Sequence, residues 1–137
     1  MATQIFLNLP VKDLNRSVAF FTKLGYTFNP QFTDEKATCM IISDTIFVML
    51  LTVPFFQTFT KKEIADAHKA IECSIALSAD SKEAVDEMVD KAVAAGATIP
   101  NPATDHGFMY QHSFEDLDGH HWELVWMNPN GVPEHQG

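Results

Sequence analysis

The chain has 137 residues, 46% of them hydrophobic and 20% charged, a balance that suits one compact domain or two small modules sharing a core and excludes a disordered chain. Its formal net charge of −9 argues against nucleic acid or an anionic membrane as a partner. No apolar run approaches the roughly 20 residues that a spanning helix requires, and no basic stretch leading into an apolar one marks a signal peptide, so a cytoplasmic protein is expected.

In chain order, Ile5 to Leu9 reads as a strand stopped by Pro10. Asp13 is a natural N-cap for a helix whose face carries Leu14, Val18, Phe21 and Leu24, with Phe20 beside them. Gly25 suits the position that closes that helix. Tyr26 to Phe28 resumes as strand, Asn29-Pro30 breaks it, and Thr33 to Lys36 reads as a turn. Cys39 to Ile42 and Ile46 to Leu51 are apolar strands joined at Ser43-Asp44-Thr45. Thr60-Lys61-Lys62-Glu63 matches a capping box and predicts a short helix through His68, within a stretch that is either a connector or a flap over a cleft.

The second half begins with the alternating strand Ser74 to Ser78. Asp80-Ser81-Lys82-Glu83 is a second capping box, followed by Val85, Met88, Val89, Ala92 and Val93 at helical spacing, which predicts that all five face a core. Pro100 and Pro102 mark an irregular edge. Phe108 to Phe114 and His121 to Met127 are strands, joined at Asp116-Leu117-Asp118-Gly119. Both halves thus read strand, helix, then a strand meander. The expected division is module one over about 3–54, a connector over 55–71, module two over about 72–128 and a loose tail over 129–137. Cys39 and Cys73 lie in apolar segments and read as buried reduced thiols rather than a disulfide.

The last hairpin carries the strongest chemical signal. Strand alternation places His121, Glu123, Val125 and Met127 on one face, and Trp122, Leu124 and Trp126 on the other. A mid-strand carboxylate such as Glu123 is costly unless it faces a polar cleft or finds a partner. Read from residue types alone, Glu123 and His121 form a functional pair facing a cavity, or a structural ion pair on a solvated face. His112, His121 and Glu123 together offer donors for a divalent transition metal. His68, His106 and His135 read as surface residues. No nucleophile elbow, phosphate loop or dinucleotide glycine pattern occurs.

Leu9 to Leu14, the phrase Ser17-Val18-Ala19-Phe20-Phe21 leading to Leu24-Gly25, and Asp116 to Glu123 resemble the glyoxalase / bleomycin resistance / extradiol dioxygenase superfamily, the vicinal oxygen chelate proteins. Within it, the chain is similar to the group labelled predicted lactoylglutathione lyases. The resemblance implies an α+β protein of two βαβββ modules curling into a half-barrel cleft, and a homodimer. It also implies a divalent metal held by side chains from the first and last strand of each module. Glu123 falls on the last-strand glutamate of the second module. Counting back from Asp13, the other positions fall on Phe6, Ser74 and Val48, which are poor ligands or none.

Two readings of function follow. In one, the cleft is apolar, floored by Phe6 and Val48, with Asn8, Ser74 and Ser78 as polar contacts and His121 with Glu123 as an orienting or acid–base pair. A small molecule is then the partner, and no metal is expected. In the other, the protein is a metal-dependent lyase of the glyoxalase I type or a related dioxygenase, with ligands such as His112, His121 and Glu123. A non-catalytic partner-binding domain is a third class.

Overall fold

The computed structural model describes residues 2–130; most of the expected tail, including His135, lies outside them. The chain forms two units that divide between Asp66 and Ala67, inside the segment read as a connector. The first unit contains β1 (Ile5–Val11), α1 (Leu14–Lys23), β2 (Thr27–Asn29), β3 (Ala37–Ile41), β4 (Ile46–Thr52) and the short α2 (Val53–Gln57). The second contains β5 (Ser74–Ser78), α3 (Lys82–Ala94), β6 (Thr104–Asp105), β7 (Met109–Glu115) and β8 (His121–Met127). Each has an open four-stranded mixed sheet, in the orders β1-β4-β3-β2 and β5-β8-β7-β6. In each, the first and last strands pair parallel and the remaining pairs are antiparallel. The α+β fold of two βαβββ modules is therefore present, with the same strand permutation in both halves.

Local chemistry explains the elements. Asp13 caps α1 by accepting the amide of Arg16 at 3.1 Å. Leu14, Phe20, Phe21 and Leu24 are buried beneath that helix together with Ser17, whereas Val18 is only half-buried. They lie on the sheet face made by Leu9, Val48 and Leu50, all buried. Each such side chain contributes about 1.5–3 kcal/mol relative to exposure. In the second unit, Val85, Val89 and Ala92 of α3 are fully buried, and Phe114 stacks on Trp122 with ring centroids 6.4 Å apart.

Several expectations need correction. Pro10 does not stop β1 but pairs with Leu51 inside it; β1 is an edge strand, which tolerates a residue that cannot donate. The helix expected from Thr60 to His68 is absent. Thr60 Oγ1 takes the amide of Lys62, two residues on instead of three, and the Gln57 amide occupies the carbonyls of Thr60 and Lys62 that a helix would have used. A helix forms earlier instead, from Val53, with Pro54 in its first turn. The cap of α3 is Ser81, not Asp80, through its bond to the amide of Ala84. Val93 is 43% exposed, because the apolar stripe of α3 has rotated past the sheet by its last turn. Cys39 is buried, but Cys73 is exposed; both are free.

Register decides one further point. Phe6 pairs with Phe47 and Asn8 with Met49, while Leu7 pairs with Val48. Side chains alternate across a strand, so Val48 shares the helix face with Leu7 and is only 1% exposed. It cannot floor an open cleft. Phe47 and Met49 stand on the opposite face of the sheet, with Phe47 stacked on the half-exposed Phe6 at 5.0 Å.

Two glycines separate conformational strain from steric exclusion. Gly25 has φ +104° with open space where a Cβ would stand, whereas Gly119 has φ +86° and a Cβ there would lie 2.8 Å from the backbone of Ala67 and His68. Gly25→Ala is expected to cost about 1 kcal/mol, the price of the backbone conformation alone. Gly119→Ala should cost clearly more, about 2–4 kcal/mol, because backbone must also move. Urea denaturation of both variants checks the order, and equal losses would show that the 67–68 segment does not pack on the hairpin.

Candidate functional site

The site is built outward from the turn between β7 and β8. Asp116 is buried, and its Oδ1 accepts the amides of Asp118 at 2.9 Å and His120 at 3.0 Å. Its Oδ2 accepts the indole N–H of Trp122 at 2.9 Å. One carboxylate thereby closes the hairpin and orients the indole toward α3. Burial pushes the Asp116 carboxyl above its usual range, against the opposing pull of His120 and the three N–H donors.

With Trp122 turned inward, alternation sends His121 and Glu123 to the other face. Ser74 lies opposite His121 in the parallel pair β5/β8, and Ser113 lies opposite Glu123 in the antiparallel pair β7/β8. Glu123 Oε2 accepts the Ser74 hydroxyl at 3.0 Å and lies 3.3 Å from His121 Nε2. Among the described residues no donor reaches Oε1. The Glu123 side chain is 27% exposed and that of His121 12%. Both line a pocket of about 330 Å³, whose other walls include Asn101, Thr104, Gln111 and Ser113.

Ser74, His121 and Glu123 are thus brought together as a hydrogen-bonded group. Ser78, opposite Val125, shares their face but is not a wall of the pocket. Phe6 and Asn8 lie on the first unit's sheet, where the Asn8 amide donates to the carbonyl of Phe6 at 3.1 Å. The walls of the pocket are hydroxyls, amides, two imidazoles, Pro102 and a carboxylate, and the apolar floor expected of Phe6 and Val48 is no part of it. Gln111 and Ser113 escaped the sequence reading, although counting back across the Asp116–Gly119 turn reaches them.

His112 also borders the pocket, but it makes no hydrogen bond to His121 or Glu123 among the described residues. It lies opposite Leu124, on the helix face, with its Nδ1 buried and 3.8 Å from Asp86 of α3. Asp86 instead accepts the Tyr110 hydroxyl at 2.7 Å, a bond that pushes Tyr110 up to about 12. Among the described residues no three His, Cys, Asp or Glu side chains converge on a metal-sized space. The positions implied by the doubled module fare no better. Phe6 and Ser74 stand at equal distances before the caps Asp13 and Ser81. Their pairing with Phe47 and His121 makes Met49, not Val48, the counterpart of Glu123. A phenyl ring, a thioether, a hydroxyl and one carboxylate do not suit a hard divalent cation.

Residues 3–43 match the family model described as bleomycin resistance protein-like N-terminal. The chain is 30% identical to the hypothetical protein SA1046 from S. aureus, over 92% of this chain and 95% of that one, with a TM-score of 0.78. A glyoxalase/bleomycin resistance protein/dioxygenase family enzyme from Burkholderia phytofirmans PsJN is 19% identical, over 92% and 99% of the two chains, with a TM-score of 0.77. The fosfomycin resistance protein FosX from Listeria monocytogenes is 21% identical, over 92% and 93%, with a TM-score of 0.66. No curated protein matches the sequence. Over residues 3–43 the chain is thus similar to a bleomycin resistance protein-like family, and it shares the fold of solved glyoxalase/bleomycin resistance/dioxygenase structures. Among the described residues no helix is long and apolar enough to cross a membrane.

Replacing Asp116 by Asn turns an amide N–H₂ toward a donor and leaves one buried N–H unpaired, a loss of about 1–3 kcal/mol. Because the native carboxyl titrates above its unfolded value, its contribution is fully present below the unfolded pKa and declines as pH rises through the native one. The stability gap between the wild type and Asp116→Asn should therefore be widest near the acid end and narrow toward neutrality. Denaturation at a series of pH values reads it, and a gap that widens with pH would reverse the assignment.

Proposed function

We propose that this protein binds a small organic molecule in the polar pocket of its second unit. Glu123 and His121 hold the ligand and, where it is a substrate, move a proton. The observation that carries this reading is the division of labour on Glu123: Oε2 is fixed by Ser74 and His121, and among the described residues no donor reaches Oε1, beside a 330 Å³ space. A half-buried carboxylate kept in that state is costly, and a ligand group in the pocket would offset the cost. The volume lies at the lower end of the range for small-molecule sites. Relatives whose names refer to bleomycin and fosfomycin resistance agree with a drug-sized or smaller ligand.

We assign no metal to this activity, on the chemistry of the donor set described above. The lactoylglutathione lyase reading retains one supporting side chain, Glu123, which occupies the last-strand carboxylate position. It would require about one divalent metal per chain and hemithioacetal turnover lost on chelation. We also propose a cytoplasmic homodimer. Two free thiols suit a reducing compartment, and β2 and β6 end their sheets as unpaired edges that a second copy could cover.

The test is a thermal-shift screen of small organic compounds, followed by titration of each hit on wild type and Glu123→Gln. A hydrogen bond to a charged group is worth about 1.5–3 kcal/mol, so the variant should bind a true hit roughly 10- to 150-fold more weakly, with its own Tm little changed. Hits held equally well by Glu123→Gln would place the ligand elsewhere.

A further inference from the structure

Resting on that binding reading, we infer that the ligand is a cation: a small molecule whose protonated amine or guanidinium group sits on Glu123 Oε1. The pocket has one carboxylate, and the only other titratable groups on its walls are two imidazoles, His112 and His121. Asn101, Thr104, Gln111 and Ser113 are neutral, and neither Lys nor Arg lines the space. The nearby cation of the α3 face is already engaged: Lys82 pairs with Asp105 at 2.9 Å and lies 5.8 Å from the Tyr110 ring and 5.6 Å from that of Trp126.

The two hydrogen bonds to Oε2 fix the sign of what can follow. Ser74 donates its only hydroxyl proton there. When His121 Nε2 donates too, both protons are spent on Oε2 and Oε1 is left as the acceptor. That oxygen calls for a ligand group rich in donors. An ammonium or guanidinium supplies several N–H donors and a charge, and charge-assisted bonds are roughly twice as strong as neutral ones. A carboxylate, phosphate or phosphonate would meet Glu123 with no Lys or Arg on the pocket wall to offset the repulsion. The chain's net charge of −9 favours cation encounter in the same direction.

The experiment uses three compounds that share a 4-hydroxyphenethyl or 4-hydroxybenzyl frame: tyramine, tyrosol and 4-hydroxyphenylacetate, which end in an ammonium, a hydroxyl and a carboxylate. Binding is measured calorimetrically on chelator-treated, full-length protein at pH 7. Tyramine should bind at least tenfold more tightly than tyrosol, with 4-hydroxyphenylacetate weaker still. Glu123→Gln should weaken tyramine at least tenfold and weaken tyrosol less, so that most of the preference for the cation disappears. Independently of any variant, raising salt from about 0.05 to 0.5 M should shrink the preference for tyramine on the wild type. Saturable binding with no preference for the cation, or preference for the carboxylate, would overturn this inference and leave the binding reading standing. Absence of saturable binding by all three would overturn the binding reading itself.

Discussion

The second unit depends on one buried carboxylate. Asp116 accepts two backbone amides and one indole N–H, and those three bonds together set the hairpin, the register of β7 against β8 and the side on which Trp122 stands. A one-residue slip would exchange every side chain between the two faces. Trp122 would then leave the core, and Glu123 would enter it. The placement of the candidate site is thus a consequence of the turn rather than an independent feature, and the buried Trp122 keeps the turn from relaxing. Gly119 closes the same turn so near the 67–68 backbone that no side chain fits.

The two units use one topology for opposite chemistry. At equivalent places in the repeat, the first sheet carries Phe6, Phe47 and Met49, and the second carries Ser74, His121 and Glu123. The helix-facing sides both carry buried apolar residues, Leu9, Val48 and Leu50 in the first and Phe114, Trp122 and Leu124 in the second. The open face can change without cost to the core, because side chains on the two faces of a sheet alternate and seldom share neighbours. Phe6 and Phe47 stack on each other, whereas Ser74 and His121 both turn to Glu123. One sheet presents aromatic surface and the other hydrogen-bonding groups.

Most of this was legible from periodicity. The doubled strand-helix-meander order, the cap at Asp13 and the full extent of β8 follow from alternation, turn residues and helical spacing, as does the outward placement of His121 and Glu123. What escaped did so for identifiable reasons. The Thr60 capping box failed because a side chain outside it, Gln57, took the carbonyls. Val48 was misassigned by one residue because β4 is apolar on both faces and offers no alternation to count. His112 was grouped with His121 and Glu123 by residue type, whereas the register sets it against Leu124 on the other face. Ser113 and Gln111 are ordinary polar strand residues until β7 is paired with β8. Each miss concerns a relation between segments, and local pattern does not encode such relations.

The bond pattern of Glu123 separates a binding group from a structural one. A carboxylate retained only to hold β5 to β8 would gain by satisfying both oxygens, or would give way to an amide or an aliphatic side chain, since a partly satisfied polar group is worse than an apolar one of the same shape. Here both protein donors crowd onto Oε2. That arrangement immobilises the side chain yet leaves its charge incompletely neutralised, so the strength of the remaining acceptor is preserved. Rigid presentation of an unsatisfied group lowers the entropy lost on binding. Under the proposed binding role, Ser74 and His121 would act on Glu123 as a supporting shell acts on a binding group: they fix its direction and leave its outer oxygen open.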